Sequence, residues 1–117
     1  MRPDWKPVRI YEPVRKLVHD WSTEVKKELG AVLTRLQKGE SIGMPDVRPI
    51  PAIAPGVAEI RVADRRGTFR TFYVIHSRFG ILVFHAFMKK AEKTSEPEKE
   101  TARVRLRDFL AELEEGL

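Results

Sequence analysis

Between Val57 and Phe87 the sequence breaks into three runs, VAEIRVA, TFRTFYVI and ILVFHAF, separated by DRRG and HSRFG. Short runs rich in β-branched and aromatic residues, bounded by Gly and Asp, are strands joined by tight connections. The chain is thereby committed to a three-stranded antiparallel meander. In the first run Ala58, Ile60 and Val62 alternate with Glu59 and Arg61. If the first loop comprises the four residues Asp64 to Gly67, Ala63 pairs with Thr68 and Arg61 falls opposite Arg70 on the same face. Like charges directly opposite each other cost stability, so a sheet arranged this way is expected to present them to something negative. On that reasoning, replacing either arginine by Ala leaves stability unchanged or slightly raised.

The segments around the meander are helical or irregular. Trp5 to Tyr11 has the composition of a short strand that Pro7 confines to a sheet edge. After Pro13, Val14, Leu17, Val18 and Trp21 form one helical stripe, and Ser22 can cap a second helix carrying Val25, Leu29, Val32, Leu33 and Leu36, with Gly39 as its stop. A helical hairpin and one kinked helix both satisfy this pattern. Residues 41–56, SIGMPDVRPIPAIAPG, hold four prolines and two glycines and form an ordered connection, with Ile50 and Ile53 packed on the rest. Ser95 and Glu98 make a capping box, and the helix that follows turns Ala102, Leu106, Phe109, Leu110 and Leu113 inward until Gly116. A length of 117 residues with 42% apolar content suits one domain spanning residues 1–117.

Several function classes drop out. The chain has no cysteine, which removes disulfides and thiolate metal sites and suits a reducing cytoplasm. His19, His76 and His85 do not stand at metal-ligand spacing. Neither a signal peptide nor a membrane-length apolar run is visible, so a soluble, intracellular protein is expected. P-loop, GxGxxG, HExxH and GxSxG signatures are absent as well.

The net charge of +5 is unevenly placed: residues 1–60 carry +2, residues 61–93 carry +6 and residues 94–117 carry −3. A positive field concentrated in one third of a chain suits a polyanion such as nucleic acid, although a merely solvated basic face has the same composition. One constellation stands out in that third. Arg61, Arg70, Tyr73, His85, Lys89, Lys90 and Lys93 can converge on one concave edge. Such a set has a use in cutting RNA without a metal: a base takes the 2′-OH proton, a cation stabilises the phosphorane oxygens, and an acid protonates the leaving 5′ oxygen. Arginine's fixed fork of donors suits the phosphate oxygens, and a lysine or tyrosine can exchange the protons. Taken singly, each of these residues is more simply read as a solvated strand end or a core aromatic.

The same segment resembles the phage-derived, HigB-like branch of the RelE/ParE toxin superfamily. The residues that carry the likeness are Glu59, Ile60 and Arg61 in the first strand, Arg70 and Tyr73 in the second, and Phe87, Lys89, Lys90, Lys93 and Thr94 at the end of the third. Pro97, Glu100, Ala102 and Arg105 continue it into the last helix. The resemblance implies a small RelE-like α+β fold, with N-terminal helices packed on a twisted antiparallel sheet and a C-terminal helix. It further implies the toxin of a type II toxin–antitoxin module, a cytoplasmic, ribosome-dependent mRNA endoribonuclease. Its partners would be the ribosome, mRNA and a small antitoxin, often with a helix-turn-helix, and it would need neither metal nor cofactor. On this reading Arg61, Arg70, Tyr73, Lys89 and Lys90 are catalytic, and Arg65, Arg66, His85, Lys93 and Arg105 bind RNA. A ParE-like gyrase inhibitor and a non-catalytic module that binds RNA or a phage component are the alternatives.

Overall fold

The structure, a computed structural model, describes residues 4–89 and 94–116. In chain order the elements are β1 (Val8–Ile10), α1 (Glu12–His19), α2 (Thr23–Gln37), β2 (Val47–Pro49), β3 (Ala58–Asp64), β4 (Gly67–His76), β5 (Gly80–Lys89) and α3 (Glu96–Glu115). The described strands form one sheet in the order β1-β5-β4-β3-β2.

Capping chemistry sets the helix boundaries. Ser22 Oγ accepts the Val25 backbone N–H at 3.2 Å and opens α2 three residues after α1 ends, so the N-terminal helices are a pair. Ser95 Oγ likewise accepts from the Glu98 backbone N–H at 3.3 Å, and Gly116 caps the far end of α3.

The meander forms with Arg61 opposite Arg70, and Asp64 pairs with Gly67, so only Arg65 and Arg66 remain in the loop. Two strands extend the expected antiparallel sheet. β2, inside the proline-rich connection, pairs antiparallel with β3, and β1 pairs parallel with β5 on the opposite edge, which makes the sheet mixed. Gly80 permits the β1 contact: its φ is +89°, and a Cβ there would lie 2.5 Å from the Pro7 carbonyl oxygen. That same oxygen accepts the Ile81 N–H at 2.9 Å.

Both faces of the sheet are covered. Val14, Val25, Leu29 and Leu36 from α1 and α2 pack against Ile60, Val62, Phe69, Tyr73, Ile81 and Val83. On the other face Ala102, Leu106 and Phe109 of α3 pack against Phe72, Leu82 and Phe84, with Ile53 buried and Ile50 half-buried beside them. Polar residues of β3 and β4 that share this second face are therefore partly roofed by α3 and by the connection.

Candidate functional site

The face beneath α3 carries a patterned set of charges. Cross-strand partners share a face, so register alone places them. Arg48 of β2 lies opposite Glu59 of β3, which lies opposite Phe72 and, beyond it, His85. The next row is Arg61, Arg70 and Phe87, and the last described row is Ala63, Thr68 and Lys89. One carboxylate is thus surrounded by arginines. Arg70 Nη1 donates to Glu59 Oε1 at 2.8 Å, and Arg61 Nε lies 3.5 Å from the same oxygen. Glu59 is fully buried and the Arg70 side chain is 2% exposed, whereas Arg61 keeps 20% of its side chain open. The like-charge pair read from the sequence is real in register, but Glu59 lies beside it and neutralises part of the charge. Removal of an arginine would therefore leave a buried carboxylate with less compensation, the reverse of the expected relief.

A second polar cluster joins the sheet to α3. His85 reaches the α3 face by alternation with Phe87 and Lys89, and a register shift between Phe72 and Tyr73, with Phe84 as the extra residue on β5, puts Phe84 on that face beside it. His85 Nε2 lies 2.6 Å from Glu98 Oε1, and Arg105 Nη1 lies 3.2 Å from His85 Nδ1. Because a guanidinium can only donate, Nδ1 is the acceptor and the proton sits on Nε2, donated to Glu98. Burial holds the His85 pKa below its ordinary value and Arg105 lowers it further, against the upward pull of Glu98. The imidazole is neutral and shielded. Glu98 thereby leaves its capping box half formed, since its side chain reaches His85.

A groove of about 420 Å³ opens beside Arg70. Its walls come from the β2 end, with Arg48, Ile50 and Pro51, and from the approach to α3, with Glu96 and Lys99. Arg103 Nη2 donates to the Ala52 carbonyl at 2.8 Å and ties the two walls together. Among the described residues no group of His, Cys, Asp and Glu is placed to hold a metal ion, and no helix is long and apolar enough to cross a membrane.

Residues 16–107, most of the chain, match the family described as Phage derived protein Gp49-like (DUF891). The chain belongs to that family. Among solved structures it is similar to a mutant of the E. coli toxin RelE in the free state, with a TM-score of 0.51 and 15% identity over 89% of this chain and 97% of that one. The Gp49-like chain thus has a RelE-like α+β fold, as the sequence resemblance implied. No curated protein matches it.

The Gp49-like fold sorts the residues singled out from the sequence. Arg61, Arg70 and Lys89 share one face near one end of the sheet. Tyr73 does not join them: it lies on the opposite face, 6% exposed in the core under α1 and α2, where burial raises its pKa. His85 and Arg105 sit at the α3 contact, with His85 closed off from any RNA in this conformation. Arg65 and Arg66 occupy the exposed β3–β4 turn. Arg66 is held by Asp64 at 2.8 Å and lies over the Phe69 ring at 5.4 Å, turned toward the helical face. The Arg66 hydrogen bonds also hold the Asp64 carboxyl below its ordinary pKa. Lys90 and Lys93 lie outside the described residues. Sequence reasoning missed Arg48 and Lys99 as neighbours of this face and Glu59 as its buried counter-ion. The available signal was the α3 apolar stripe, which required a sheet face to cover and so implied burial for the charges there.

Proposed function

We propose that this chain is the toxin of a type II toxin–antitoxin module and that it cuts mRNA on the ribosome without a metal. The observation that carries the reading is the gathering of Arg48, Arg61, Arg70 and Lys89 on one face of a RelE-like sheet, beside an open groove. In the reaction the ribose 2′ oxygen loses its proton to a base and bonds to the adjacent phosphorus. The bond from phosphorus to the 5′ oxygen then breaks, and that oxygen takes up a proton, leaving a 2′,3′-cyclic phosphate and a 5′-hydroxyl end. Arg61, the more open of the two facing arginines, donates to the developing phosphorane oxygens. Arg70, clamped by Glu59, is a positioning residue that holds the positive field in place. Proton transfer falls to Lys89, the last residue of β5, and to Lys90, the next residue in the sequence. Tyr73 and His85 take no part, one behind the sheet and the other under α3.

An antitoxin segment bearing acidic and apolar residues would silence the site by covering these cations, and the ribosome would place the protein in the cytoplasm. Induced expression of the chain alone tests the reading. Growth arrest with depletion of translated mRNAs is expected, and co-expression of its antitoxin should restore growth. Intact mRNA with trapped gyrase–DNA complexes would select a gyrase poison instead, and undisturbed growth would leave only a binding module.

A further inference from the structure

We propose that the groove beside Arg70 is a subsite for one unstacked nucleobase bearing an exocyclic amino group, supplied by the nucleotide next to the scissile phosphate. This rests on the ribonuclease reading of the neighbouring cations. The groove has the volume of a small-molecule site, about 420 Å³, and its parts are fixed before any ligand arrives. Arg70, in its floor, is held by Glu59 at 2.8 Å. The proline-flanked wall is set by the Ile50 N–H donating to the Val57 carbonyl at 2.9 Å and by the Arg103 bond to Ala52.

The lining is mixed in a way that fits a nucleotide. Ile50 and Pro51 give an apolar wall for a base to lie against, and Arg48 and Lys99 bring positive charge for the backbone. Glu96 is the discriminating group. Its carboxylate is largely exposed and lies 3.3 Å from Lys99 Nζ. A carboxylate repels a phosphate and equally repels an acidic peptide side chain, but it accepts a hydrogen bond from the amino group of cytosine or adenine, which uracil lacks. Position also favours RNA. Arg70 is the cross-strand partner of Arg61, so a strand with its reacting phosphate at Arg61 carries the adjoining base to the groove.

The test is a titration of the purified protein with CMP, AMP, UMP and ribose 5-phosphate, followed by the amide NMR signals of Ile50, Ala52 and Thr94. CMP and AMP should move these signals saturably and bind about tenfold more tightly than UMP, with ribose 5-phosphate weaker still. In Glu96→Ala, an exposed position that leaves the fold intact, CMP and UMP should bind alike. Equal response to CMP and UMP in the parent protein, or no CMP shift at these amides, overturns the subsite. So does an acidic peptide that moves them more strongly than CMP. Cleavage of ribosome-bound mRNA is measured on the same preparations to separate the two claims. CMP binding with intact mRNA removes the ribonuclease reading and leaves a base-binding groove with no scissile phosphate beside it, whereas cleavage without CMP binding removes the subsite alone.

Discussion

Arg70→Ala should cost this protein far more than a basic surface residue would. Arg70 is 2% exposed and donates at 2.8 Å to Glu59, which is fully buried and has no hydrogen bond to its second oxygen among the described residues. Breaking a buried ion pair from one side leaves an uncompensated charge and costs about 3 to 5 kcal/mol. Arg61, 3.5 Å from the same carboxylate oxygen, remains as a weaker counter-ion, which places the expected loss near the lower end, about 3 kcal/mol. For a chain of this size that is a fall in Tm on the order of 10 to 15 °C. Arg61→Ala, which removes the longer and more open contact, should cost under about 1 kcal/mol. Replacing the pair together, Glu59→Leu with Arg70→Leu, takes away both fully buried charges but leaves Arg61 without its carboxylate, so the double variant should recover part of the loss and be more stable than Arg70→Ala. Urea unfolding of the four proteins gives the comparison. An Arg70→Ala variant that melts with the parent, or a double variant worse than Arg70→Ala, would refute the claim that the pair acts as a buried charge unit.

Further outcomes follow from other contacts. The His85 imidazole takes its proton at lower pH when folded than when unfolded, so lowering the pH through about 6.5 favours the unfolded state, by up to about 1.4 kcal/mol per unit. His85→Gln should flatten that part of the stability–pH curve, and an unchanged slope between pH 7.5 and 5.5 would argue against a shielded neutral imidazole. Gly80→Ala sets a Cβ against the Pro7 carbonyl at a positive φ and should destabilise by about 2 kcal/mol or more, with faster amide exchange in β1. Gly30→Ala, in α2 with no neighbouring atom within 4 Å, should stabilise by up to about 1 kcal/mol, and thermal melts of the two variants should shift in opposite directions. Lys89→Ala should lower the salt dependence of ribosome binding, reducing the slope of log K against log salt by roughly 0.7 to 0.9, and an unaltered slope would place Lys89 away from phosphate.

What was legible in the sequence was governed by local chemistry. Ser22 and Ser95 announce their helices because a cap acts within three residues, and the Arg61–Arg70 register follows from one tight loop. The features that escaped depend on partners far along the chain. Val8–Ile10 reads as an edge strand, but nothing local says that it runs parallel to β5, more than seventy residues on. Val47–Pro49 is hidden by its prolines, which mask a strand short enough to tolerate them at its end. Glu59 looks like a solvent-facing residue in an alternating strand until α3 and the connection are placed over that face. Tyr73 and His85 divide differently between local and distant signals. Alternation from Arg70 already puts Tyr73 on the other face, and alternation from Lys89 puts His85 with the cations; what no sequence pattern announces is the cover of α3 over His85 and the one-residue shift that adds Phe84 to that face.

The proposed function assigns RNA cleavage to the cations on the α3 face. The most direct measurement mixes purified protein, in EDTA, with ribosomes stalled on a defined mRNA and maps new 5′ ends over time. The parent protein should cut within the ribosome-bound codon and leave a 5′-hydroxyl end. Arg61→Ala, still folded, should be slower on the order of a hundredfold or more, as when a donor to a developing oxyanion is lost. Cutting at the parent rate by folded Arg61→Ala, or an mRNA left whole by the parent protein, would contradict the account.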